Sequence, residues 1–149
     1  MDIESKKRLE LTNCLCASIR QSSRNISQIY NKHLKASGEK INANQVSILV
    51  TISQVDDGSI NKISNLLKMD RTTLTRNLNI LKKSGWVKSN PGSDERFTYI
   101  NLTANGNKVL SKVFPHWSKA QEQVKKILGG ELDSFRFRKT LKNINTNPI

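Results

Sequence analysis

The chain has 149 residues, with 25 Lys and Arg against 12 Asp and Glu, and a formal net charge of +13. That length suits one domain with a modest core and excludes two large independent ones. No run approaches the ~20 apolar residues of a membrane span, so a spanning protein is excluded as well.

The opening stretch, MDIESKKRLELTN, has no apolar signal core, which points to a cytoplasmic chain. Two cysteines in such a chain make no disulfide framework. A large basic excess costs self-repulsion in a compact state, and its usual use is an anionic partner. Six of the basic residues, Arg71, Arg76, Lys82, Lys83, Lys88 and Arg96, fall between 71 and 96.

The first expected element is a long helix over 9–35. Leu15, Ile19, Ser22, Ile26, Ile29 and Tyr30 recur at helical spacing along one face, expected to be buried, and Gly38 ends the run. A second helix over 44–55 carries Val46, Leu49, Ile52 and Val55. Asp56-Asp57-Gly58 marks a turn. Ser59 is placed to cap a third helix with Ile60, Ile63 and Leu67 on one side, stopping near Met69. Asp70 then caps a fourth helix over 71–83, ended by Ser84-Gly85.

In the fourth helix Leu74, Leu78 and Leu81 fall at i, i+4 and i+7 and must face the core. Thr72, Thr73, Arg76 and Asn77 are expected on the other side, with Arg71 and Thr75 completing the candidate set. That face is polar, small and basic, without an acid, whereas a merely solvated helix face mixes Glu with Lys. Two short strands follow, over 86–89 and 97–102, joined by the polar connection 90–96. Thr103 caps a long helix over 104–128 that Pro115 should bend, and Gly129-Gly130 separates it from a last helix over 132–143.

Helix, short turn, helix and hairpin make the winged helix-turn-helix order. A major groove about 12 Å wide admits one helix, and Arg reads guanine there as Asn reads adenine. No paired carboxylates in a pocket context, no Ser-His-Asp arrangement, no P-loop and no metal-ligand spacing occur, so the chain reads as a non-enzyme without metal or cofactor.

The stretch LLKMDRTTLTRNLNILKKSGWV (66–87), followed by SDERFTYINLTANG (93–106), resembles the MarR family of bacterial transcriptional regulators. The matching motifs are Asp70–Leu78 and the wing pattern of Asp94, Arg96, Leu102 and Thr103; the likeness spans nearly the whole chain, HWSKAQ near Pro115 included. Lys68 departs from it, since relatives commonly carry glycine in the interhelical turn; a reshaped turn is expected.

The resemblance implies a mainly helical fold with a small β-wing, as a single unit over 1–149. Its winged lobe would span 44–102, and 9–35 with 104–144 would pair two copies in a homodimer. Interface candidates are Leu15, Phe114, Trp117, Leu132, Phe135 and Leu141, with Val124 and Ile127 beside them; ordinary intrachain core is the alternative for each. A twofold protein implies a pseudo-palindromic operator on double-stranded DNA. By resemblance Arg96 enters the minor groove and Asp94 orients it; Lys88 is expected to meet phosphate, which carries no sequence information.

The resemblance also implies release by an effector. One form is a small aromatic or anionic molecule between the pairing helices and the winged lobe. The other is an oxidant. Cys16 falls on the reactive cysteine of the organic-hydroperoxide sensors and Tyr30 on a supporting tyrosine, while Arg20 replaces another tyrosine of that group. Positive charge near a thiol favours thiolate; Cys is equally a common buried residue. Cys14 and Cys16, about 200° apart on a helix at ~100° per residue, are expected to point to opposite sides. The resulting reading is a sequence-specific DNA-binding regulator, a repressor by preference, without membrane attachment. The alternative is a winged-helix adaptor for other proteins.

Overall fold

The computed structural model describes residues 3–4, 14–56, 58–91 and 98–146. The elements run α1 (Leu15–Lys35), α2 (Ala43–Gln54), α3 (Ile60–Leu67), α4 (Arg71–Lys83), β1 (Val87–Pro91), β2 (Thr98–Leu102), α5 (Ala104–Ile127) and α6 (Glu131–Thr146). The fold is mainly helical with one two-stranded antiparallel sheet, as the sequence implied.

Side-chain caps set most of the helix starts. Asn42 and Gln45 close a capping box at α2, bonding each other's backbone N–H. Ser59 Oγ accepts from the Lys62 N–H at α3, and Thr103 Oγ1 accepts from Gly106 N–H at α5. Each cap satisfies an N–H that the helix itself leaves orphaned, worth about 1 kcal/mol. Helix α5 continues through Pro115 as one element.

The core gathers Leu34 of α1, Ile48 and Leu49 of α2, Ile63 of α3, Leu74, Leu78 and Leu81 of α4, Ile100 of β2 and Val113 of α5, all fully buried. Each such side chain contributes roughly 1.5–3 kcal/mol on leaving water. Because α4 spends its three leucines here, its opposite side has nowhere to go but solvent.

The sheet pairs Val87 with Leu102 and Pro91 with Thr98 at its ends. Strand β1 therefore runs through Asn90 and Pro91, which the turn-rich composition had assigned to the connection; an edge position tolerates proline's missing donor. On the far edge of β2, Ile100 N–H donates to Gly58 O at 2.8 Å and Ser59 bridges Tyr99, so the hairpin leans on the α3 entry.

One expectation fails in the single chain. In α1, Leu15 (79%) and Ile19 (45%) are exposed, as is Ser22; Ile26, Ile29 and Tyr30 are partly covered, and Leu34 alone is buried. Helix α1 packs on α5, with polar contacts toward its C-terminal half: Tyr30 Oη donates to Gln121 Oε1, and His33 Nε2 lies 2.8 Å from Gln123 Oε1. The stripe is real, but a single chain supplies no cover for its N-terminal part.

Candidate nucleic-acid interface

Helix α4 begins at Asp70, whose Oδ1 accepts from Thr73 N–H at 2.8 Å. That bond is the main reason the Asp70 carboxyl sits below the ordinary carboxylate range. The turn before it is made by Lys68, at φ 50° and ψ 37°. A reshaped turn was expected at this non-glycine position; the chain instead adopts the left-handed conformation outright. Neighbouring bonds hold it there: Met69 N–H to Ser64 O at 3.1 Å, and Ser64 Oγ to Met69 O at 2.6 Å.

With Leu74, Leu78 and Leu81 inward, Arg71, Thr72, Thr75, Arg76 and Asn79 border one shallow outward surface. Two guanidinium groups, two hydroxyls and an amide share it, with no carboxylate among them. Thr73 and Asn77, expected on this face, are half-buried at its flank. Asn77 Nδ2 donates to Thr73 O at 2.9 Å, inside its own helix. Asn79 takes the outward amide position and was missed. Its spacing, four residues beyond Thr75, was the available signal.

Lys88 is exposed on β1 opposite Asn101. Asp94 and Arg96 lie outside the described residues.

Cys14 forms the N-cap of α1, with Sγ accepting from Ala17 N–H at 3.5 Å. It has extended rather than helical dihedrals, so the helical angle expected between the two cysteines does not apply. Cys14 and the exposed Cys16 border the same hollow, together with Arg20, Gln21 and Arg24. Tyr30 stands about 21 Å further along α1 from Cys16 at ~1.5 Å per residue. It packs on Trp117, ring centroids 6.0 Å apart, and burial pushes its phenol pKa up. Within one chain Cys16 and Tyr30 do not meet.

Between α2 and α5 lies a crevice of about 640 Å³, walled by Val46, Val50, Leu110, Phe114 and Trp117, with Ser53, Gln54 and Ser111 at its edges. Its size suits a small organic molecule. On the pairing helices, Phe114 (63%), Leu132 (62%) and Phe135 (57%) stand exposed beside Leu15, while Trp117 and Leu141 are half-covered. Among the described residues no helix is long and apolar enough to cross a membrane, and no group of three or more His, Cys, Asp or Glu could hold a metal.

The MarR family model matches residues 41–96. A crystal structure of the Mycobacterium tuberculosis transcriptional regulator MosR in complex with DNA is 32% identical, with a TM-score of 0.78, over 89% of this chain and 93% of that one. Reduced AbfR bound to DNA is also 32% identical, with a TM-score of 0.67, over 95% of this chain and 98% of its own. The transcriptional repressor MprA of Escherichia coli (strain K12) is 34% identical over 88 residues, 57% of this chain and 49% of MprA.

Proposed function

The chain belongs to the MarR family of transcriptional regulators, and from that premise we propose that it acts as a homodimeric DNA-binding repressor that seats α4 in the major groove. The observation that carries this reading is the outward face of α4. Three buried leucines fix its orientation, and Arg71, Thr72, Thr75 and Arg76 stand exposed on it without a carboxylate. Guanidinium groups suit guanine edges, threonine methyls suit thymine, and lysines such as Lys88 suit phosphate. The net charge of +13 favours the same partner. MosR and AbfR, each about a third identical, are both described in complex with DNA, and the MprA name supports repression as the outcome.

The winged lobe over 44–102 reads DNA in this account, with Arg96 expected in the minor groove and Asp94 expected to orient it. Helix α1 with 104–144 pairs two copies. The uncovered Leu15, Phe114, Leu132 and Phe135 favour that pairing, because a lone chain would leave them in water. The crevice between α2 and α5 joins the two regions, so a flat, largely apolar effector bound there would bias the spacing of the two recognition helices. The hollow holding Cys14, Cys16, Arg20 and Arg24 favours an oxidant as a second release signal.

Selection of the purified protein on random duplexes tests the proposal. A pseudo-palindromic consensus, bound by a dimer with a steep fall of affinity as salt rises, is the expected result. A protein that selects no sequence, binding duplex DNA not at all or only through its charge, would instead fit the adaptor reading.

A further inference from the structure

Helix α4 carries two asparagines two residues apart, and the structure separates their roles. Asn77 is half-buried and has its amide N–H bonded to the Thr73 carbonyl of its own helix. That bond takes one of the two amide N–H groups and turns the half-buried amide back along its own helix, away from the outward surface. Asn79 is exposed, and it borders the same surface as Arg71, Thr72, Thr75 and Arg76. Its Cα lies about 6 Å beyond that of Thr75 along the axis at ~1.5 Å per residue, so it extends the same stripe by one turn. Next to it Ile80 is 44% exposed, an apolar side chain left in solvent on a helix whose other large aliphatics, Leu74, Leu78 and Leu81, are all buried.

We infer that Asn79 is a specificity-determining residue of this helix and that it reads an A·T pair in each half-site, with Ile80 against the thymine methyl. An asparagine amide offers one donor and one acceptor, which match adenine N7 and N6 in the major groove. The thymine C5-methyl of such a pair offers an aliphatic side chain its only apolar contact at the groove floor. Arg71 and Arg76, nearer the helix start, then serve guanine or phosphate. The outward surface thus carries two arginines toward the helix start and an A·T-reading pair beyond them.

This inference rests on the major-groove reading of α4, and the test separates the two. Wild type, Asn79→Ala, Ile80→Ala and Asn77→Ala are each put through selection on random duplexes, with thermal melting as a check on folding. Wild type is expected to yield a consensus with one adenine per half-site that Asn79→Ala no longer selects. On the wild-type site, Asn79→Ala should bind roughly 5- to 150-fold more weakly, the range for loss of one bidentate base contact. Ile80→Ala should relax the thymine preference at the same pair, and Asn77→Ala should keep the wild-type consensus. An Asn79→Ala protein that melts normally and selects the wild-type consensus would overturn the inference. So would a changed consensus for Asn77→Ala alone. If wild type selects nothing, the major-groove reading itself has failed. Should Asn79→Ala melt early, Asn79→Leu, which keeps the size and loses the donor and acceptor without adding charge, gives the same comparison.

Discussion

The Thr103 hydroxyl donates to the carbonyl of Gly85 at 2.6 Å. The same oxygen accepts from Gly106 N–H at 3.0 Å, and Thr103 N–H reaches Trp86 O at 3.0 Å. One residue therefore ties the end of α4, the base of the wing and the start of α5. Gly106 belongs to this joint, because a Cβ there would strike the Trp86 carbonyl.

Thr103→Ala removes a helix cap and an interelement bond together. A loss of about 1–2 kcal/mol is expected by urea denaturation, with Thr103→Ser recovering most of it. A loss no larger than a few tenths, equal for both variants, would show that the joint carries no weight.

Lys68 occupies the left-handed region without being glycine. That conformation costs an L-residue about 1–2 kcal/mol, against which glycine's extra freedom in the unfolded chain sets roughly 0.5–1 kcal/mol. Lys68→Gly should then raise the denaturation midpoint, by a net gain near 0.5 kcal/mol. A lower midpoint would contradict the strain at this turn.

The Asp70 cap makes a pH prediction. Its folded pKa is depressed, chiefly by the bond from Thr73 N–H. The cap therefore stabilises α4 fully above the unfolded carboxylate pKa, and the contribution is lost as pH falls through the folded one. Asp70→Asn keeps an oxygen acceptor but has nothing to titrate. Acid unfolding followed by circular dichroism should show a steeper loss for wild type than for Asp70→Asn across that window. Parallel curves would rule out the assignment.

The proposed oxidant release would turn on Cys16, exposed in a hollow that Arg20 and Arg24 also border. Mild hydroperoxide, oxidising the thiol, should dissociate wild type from its operator in a gel shift and leave Cys16→Ser bound. Equal behaviour of the two proteins would remove the thiol from the account.

Much of this architecture is legible in the sequence alone. Ser59, Asp70 and Thr103 announced their helices because a short oxygen-bearing side chain ahead of an apolar repeat has few other uses. Leu74, Leu78 and Leu81 fixed the orientation of α4 for the same reason: only one side of a helix can enter a core. The failures are equally physical. Leu15 and Ile19 obey a buried-face pattern, yet sequence periodicity records that a face is to be covered and not which chain covers it. Cys14 was placed on a helical wheel although it precedes the first helical residue. Asn77 and Asn79 differ by about 200° around the helix at ~100° per residue, so no single face holds both; grouping Thr73 and Asn77 with Thr72 and Arg76 centred the outward face roughly one residue's rotation away from the surface that Arg71, Thr75 and Asn79 share. Lys68 stood out in the sequence as a non-glycine in this turn, but its left-handed conformation is imposed by bonds around Ser64 and Met69, not by its own preference.

The most direct measurement compares wild type with Arg76→Ala on the selected duplex by fluorescence anisotropy, with sedimentation reporting the oligomer. Arg76 is exposed on α4, so its removal should leave the fold and the dimer intact. The account predicts an unchanged dimer whose affinity falls by about 1–3 kcal/mol and whose base preference alters. A dimer that binds the same duplex as tightly as wild type, with the same preference, would contradict it.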